Sequence, residues 1–157
     1  MHALSRITVF AMATALSAAA IAAPAQPGDV AQAFIEAWNS HEASAFNDLF
    51  TDDAEWVPVV ETRLSGRTQI VADLQTAHGS WARRTTLAAS DVVTSGISDS
   101  AAVVLLRAGF LGKDGQRVEP ANALLLVVVK DASGWRIKAG QLSKPGATAM
   151  PSTAAAK

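Results

Sequence analysis

The 157-residue chain has no cysteine and no tyrosine. Lack of a thiol excludes disulfides, iron–sulfur clusters, thiolate zinc and a cysteine nucleophile. Lack of tyrosine excludes a phenol as an oxyanion donor. Neither sign of charge dominates. The formal net charge is −1, so there is no electrostatic case for nucleic acid or an acidic membrane as partner. No G-x-G-x-x-G precedes a helix, and there is no Walker loop and no G-x-S-x-G elbow. Histidine is scarce, with three in all. His41 and His78 lack a metal-ligand spacing, so no metal is expected. Any redox role would need a cofactor that no motif here announces.

Half of the residues are hydrophobic, enough for one domain with a real core. The first 25 residues read differently from the rest. A short start ending in Arg6 leads into an apolar and small-residue run, Ile7 to Ile21. That run is shorter than the roughly 20 residues a membrane span needs. Small-x-small sites follow at Ala20-Ile21-Ala22 and Ala23-Pro24-Ala25. Residues 1–25 therefore read as a secretory signal peptide, cut after Ala22 or Ala25, with a periplasmic or secreted destination. The competing reading is an N-terminal anchor helix, which the absence of flanking stop-transfer charges disfavours. No stable membrane insertion is expected after processing.

Beyond it, periodicity separates a helical half from a strand half. Asp29 is placed as an N-cap with Gln32 completing a capping box. Val30, Phe34, Ala37 and Trp38 recur at helical spacing. The spacing predicts a short second helix carrying Phe46, Leu49 and Phe50, ended by Asp52 and Asp53. It predicts a third from about Arg67 to Trp81, with Ile70, Leu74, Ala77, His78 and Trp81 on one stripe. Residues 55–60 read as a short strand, which Pro58 confines to an edge or a bulge. Strands are expected over Thr86–Thr94, Ala101–Leu111, Ala121–Lys130 and Trp135–Leu142. Asp114-Gly115 and "DASG" supply the turns. Residues 144–157 are rich in Pro, Gly, Ala, Ser and Thr and read as a disordered tail. The order implies an α+β fold: three N-terminal helices packed on a curved antiparallel sheet, forming a cone with a pocket in its mouth.

The stretches "AFIEAWNSHEASAFNDLFTDDAEWV", "SGRTQIVADL" and "GWRIKAGQLS" resemble the SnoaL-like group of the nuclear transport factor 2-like superfamily, and within it the SgcJ/EcaC family. The resemblance spans residues 29–143, the whole expected domain. It implies a cone with a deep apolar pocket, often a homodimer through the outer face of the sheet. It also implies functions ranging from isomerase, cyclase and dehydratase to simple binding or scaffolding. In the isomerases an aspartate base precedes a proline in the first strand. Here Val57 precedes Pro58, and the tyrosine oxyanion donor is missing as well.

The remaining candidates come from residue type and position. His78, on the apolar stripe of helix three, is the candidate proton shuttle, because histidine titrates near physiological pH. Arg107 interrupts an apolar strand. Pointing inward it would hold a carboxylate or an enolate-like oxygen; pointing outward it would decorate the sheet or an interface. Asn122 and Gln141 are neutral polar residues in or beside strands, placed to stabilise developing charge or bind ligand. Trp38, Trp56 and Trp81 come from elements expected to line the mouth and suit a flat apolar or aromatic ligand, though tryptophans also fill cores. His41 is expected in an exposed turn. Asp52, Asp53 and Glu55 are expected to be solvated punctuation between a helix and a strand. The sequence thus leaves two functions open: a cofactor-free acid/base enzyme, or a non-catalytic ligand-binding or scaffold protein.

Overall fold

The computed structural model describes residues 23–60 and 62–146. The expected signal segment lies almost wholly outside them, as does most of the expected tail. Helix α1 spans Asp29–Ser40 and α2 spans Arg67–His78. Strands are β1 (Phe50–Val57), β2 (Leu64–Ser65), β3 (Thr86–Ser98), β4 (Ala101–Leu111), β5 (Asn122–Asp131) and β6 (Gly134–Ser143). They form one sheet in the order β2-β1-β6-β5-β4-β3.

The α+β cone expected from the sequence is present, with local corrections. The second helix is a single 3-10 turn, Ala43–Phe46. Leu49 and Phe50 leave it because β1 begins at Phe50, where burial switches to a strand pattern. The sheet is mixed, since β1 runs parallel to β6 while its other pairings are antiparallel. The capping box at Asp29 does not form. Asp29 is the first helical residue, and its carboxylate accepts from the Gln26 N–H instead.

Helix α1 buries Val30, Phe34, Ala37 and Trp38, as their spacing requires. It stops because His41 turns left-handed, with φ 58°. Helix α2 buries a single line, Ile70, Leu74 and His78. It stops at His78 rather than Trp81, because Gly79 caps it and the Ser80 hydroxyl donates to the Thr76 and Ala77 carbonyls. Irregular registers in β3–β4 and β5–β6 bend the sheet. Its concave face buries Val104, Leu106 and Phe110 from β4 and Leu124, Leu126 and Val128 from β5.

Two local devices fix the helices and strands together. The Asn39 amide donates to the Leu87 carbonyl and accepts from the Leu87 N–H, at 3.0 and 2.7 Å. This occupies the outward backbone groups of edge strand β3 at its start. Trp56 lies across Gly140, its partner in the parallel β1–β6 register, and stacks on Phe34 at 5.5 Å. Only a glycine leaves that ring its space.

Candidate active site

His41 and His78 meet. Their Nδ1 atoms are 3.3 Å apart, so one carries the proton and the other accepts it. The left-handed end of α1 delivers His41, half-buried. The last turn of α2 delivers His78, which is 7% exposed. Burial pushes the His78 pKa down, and the neighbouring His41 pushes it further the same way. A neutral imidazole facing a second imidazole is equipped to take a proton and pass it on. Both rings line a groove of about 450 Å³ with Glu42, Asn47 and Gln75.

Behind the pair stands an aromatic wall. Trp38 packs on His78 at 4.7 Å, Phe110 at 5.3 Å and Trp81 at 5.6 Å. Trp38 Nε1 and His78 Nε2 are both buried and make no hydrogen bond among the described residues. A second groove, of about 480 Å³, is lined by Ser80, Trp81, Arg83 and Arg84 and shares Gly79 with the first. Among the described residues no group of three or more His, Asp and Glu side chains is placed to hold a metal.

The other expected site residues do not converge here. Arg107 is exposed between buried Leu106 and Ala108, so it points to the convex face of the sheet. Gln141 is exposed and pairs with exposed Leu125 on that same face. Both correct the expectation of charge-stabilising groups beside His78. The physical reason is strand alternation, which gives the inward places to their apolar neighbours. Asn122 is fully buried on the concave face, where its amide donates to Glu119 Oε1 and its Oδ1 has no partner among the described residues. Trp38 and Trp56 are buried in the core, and Trp81 stands at the rim, 52% exposed.

The acids of residues 52–55 are ion-paired on the surface. Asp52 pairs with Arg67 at 2.9 Å and Asp53 with Lys138. Glu55 takes two hydrogen bonds from Arg63 and one from Ser65, which hold its carboxyl down at about 2. They are solvated, as expected, but sit within β1 rather than in a turn.

Sequence reasoning missed His41, Arg83 and Arg84. His41 follows Trp38 by three residues and His78 precedes Trp81 by three. That mirrored spacing is the one local hint that the two histidines share an aromatic setting.

Three comparisons bear on ancestry. Residues 21–140 match the family model described as SnoaL-like domain. No curated protein matches the chain. Solved structures share its fold. One is a cystatin-like-fold protein from Caulobacter vibrioides, 22% identical with a TM-score of 0.66, covering 76% of this chain and 87% of that one. Another is a candidate dehydratase of the NTF2-like family from Streptomyces avermitilis, 19% identical with a TM-score of 0.65, covering 76% and 94%. A third is a candidate ketosteroid isomerase from Shewanella frigidimarina, 14% identical with a TM-score of 0.62, covering 74% and 94%. With its family model matched over most of its length and its cone shared with nuclear transport factor 2-like structures, the chain belongs to the SnoaL-like domain family.

Proposed function

We propose that this chain binds a small, flat molecule at the His41–His78 groove and moves a proton on it without a cofactor. The reaction would be of isomerase, cyclase or dehydratase type. The observation that carries this reading is the 3.3 Å contact between the two Nδ1 atoms in a groove backed by Trp38. His41, half-exposed in the groove, meets the ligand and is the base, and His78, kept neutral by burial, shares the proton through the Nδ1–Nδ1 contact. From His41 the proton exchanges with solvent.

The test is a ligand screen by tryptophan fluorescence. Hits are then followed for turnover, or for deuterium uptake at acidic C–H positions. His78→Gln and His41→Gln should bind hits within a few-fold of wild type but slow proton transfer by about 10²-fold or more. Equal turnover in wild type and both variants would sink the proton-transfer role. A binding-only function is favoured by one observation: Arg107 and Gln141 lie on the opposite face of the sheet. Ligands that bind but are never turned over by wild type would establish it.

Three narrower readings accompany this one. Assignment to the SgcJ/EcaC group rests on the quoted sequence stretches. Export rests on the apolar N-terminal run. Buried Pro24, whose carbonyl accepts from the Trp135 N–H, supports a cut after Ala22, because a cut after Ala25 would remove that bond. Homodimerisation through the convex face is supported by Val93, Leu105 and Leu125, which form one exposed apolar row across β3, β4 and β5. Sedimentation of a Leu105→Glu variant as a monomer, beside a dimeric wild type, is the expected result.

A further inference from the structure

We infer that the molecule taken by this site is a planar acid. Its aromatic body would lie on Trp81, its acid group against Arg83 and Arg84, and its reacting end against the histidine pair. This rests on the proposed proton-transfer site and adds the ligand's charge and orientation.

Both grooves have Gly79 in their lining, and Trp38 touches both His78 and Trp81, so the two lie side by side within reach of one molecule. Their charges are opposite. Glu42 lines the histidine groove, whereas Arg83 and Arg84 line the other. An anionic group is therefore repelled at one end and attracted at the other, which sets a single orientation. Among the described residues neither arginine is in an ion pair. Their guanidinium groups are therefore open to a carboxylate.

Trp81 supplies the platform. A tryptophan this exposed is a costly apolar surface in a chain that buries its other three. Phe110 meets it edge-on, at 5.4 Å and 83°, and Trp38 supports it at 5.6 Å. The ring is thus held from behind while remaining open at the rim. A flat ring stacking there would be flanked by the two arginines, which follow Trp81 by two and three residues.

The experiment uses the full chain, with 2-naphthoate as probe and its uncharged counterpart 2-naphthamide as control, by calorimetry at two salt concentrations. Naphthoate should bind about ten-fold more tightly than the amide at low salt, and the advantage should shrink at high salt. A double Arg83→Gln, Arg84→Gln variant should remove that advantage and leave the amide unchanged. Trp81→Ala should weaken both probes alike. Equal binding of acid and amide, an unaffected double variant, or no binding of either probe would each overturn the inference. His41→Gln and His78→Gln should keep naphthoate binding. Retained binding with undiminished proton transfer in those variants would defeat the proton-transfer reading and leave this one standing. Loss of the acid preference alone would do the reverse.

Discussion

Gly140→Ala should destabilise the domain by about 2 kcal/mol, although alanine is ordinarily the better strand residue. A Cβ at position 140 would lie 2.4 Å from Trp56 Cζ3, 2.6 Å from Cε3 and 3.1 Å from Leu126 Cδ2. Carbon atoms pack comfortably at about 3.5–4.0 Å, so the indole must retreat by roughly an ångström. It has little room. Phe34 stacks on it at 5.5 Å and Phe50 meets it edge-on at 5.8 Å. Overpacking costs about 1–3 kcal/mol, the 2.4 Å approach puts this case at the upper end, and the removal of glycine's backbone freedom returns roughly 0.5–1, which leaves about 2. A urea titration followed by circular dichroism should show the midpoint falling by about 1 M, with little change in slope. Trp56→Leu in the Gly140→Ala background should recover part of the loss. The coupling between the two sites should then be at least about 1 kcal/mol. A Gly140→Ala protein within about 0.5 kcal/mol of wild type would mean that the ring does not rest on this glycine.

Asn39→Ala removes both hydrogen bonds to Leu87 and should cost about 1–3 kcal/mol, with faster hydrogen exchange at the Leu87 amide as the local readout. Acidification should weaken the fold through His78. The unfolded imidazole takes up its proton near 6.5 while the buried one resists, so stability falls as pH drops below that value and levels off only under the folded pKa. His78→Gln should flatten this part of the thermal-melt profile, and an unchanged slope would show that another group is responsible. Glu55 acts in a lower window, its contribution being present above 4.5 and lost as pH falls toward 2. Arg63→Gln should move the Glu55 titration, read by NMR, part of the way back toward 4.5 and lower neutral-pH stability by the matching small amount, because screening at the surface limits both effects together.

The elements were readable where their pattern was strong. Val30, Phe34, Ala37 and Trp38 define a helix by spacing alone, and the structure buries all four. The alternation through β4 and β5 was equally plain. What misled was the run from Phe46 to Phe50. Its apolar spacing suits a helical turn, yet Phe50 and Thr51 are claimed by pairing and burial in β1. The parallel pairing of β1 with β6 was not legible either. It joins residues more than 80 positions apart and leaves no local mark. The site divides in the same way. His78 was visible as a polar residue on an apolar stripe, whereas Arg107 was ambiguous until the phase of β4 was known.

The class of this protein, a cysteine-free, nearly neutral α+β domain whose helices precede a strand meander, is legible in the chain alone. Those properties follow from composition and short-range periodicity, which act through neighbours a few residues apart. Which side chains meet is a matter of tertiary packing. It turned Arg107 and Gln141 outward and brought His41 and His78, 37 residues apart in the chain, to 3.3 Å. The reason is geometric. A left-handed residue ends α1, a glycine ends α2, and packing of both helices on one curved sheet brings those two ends together.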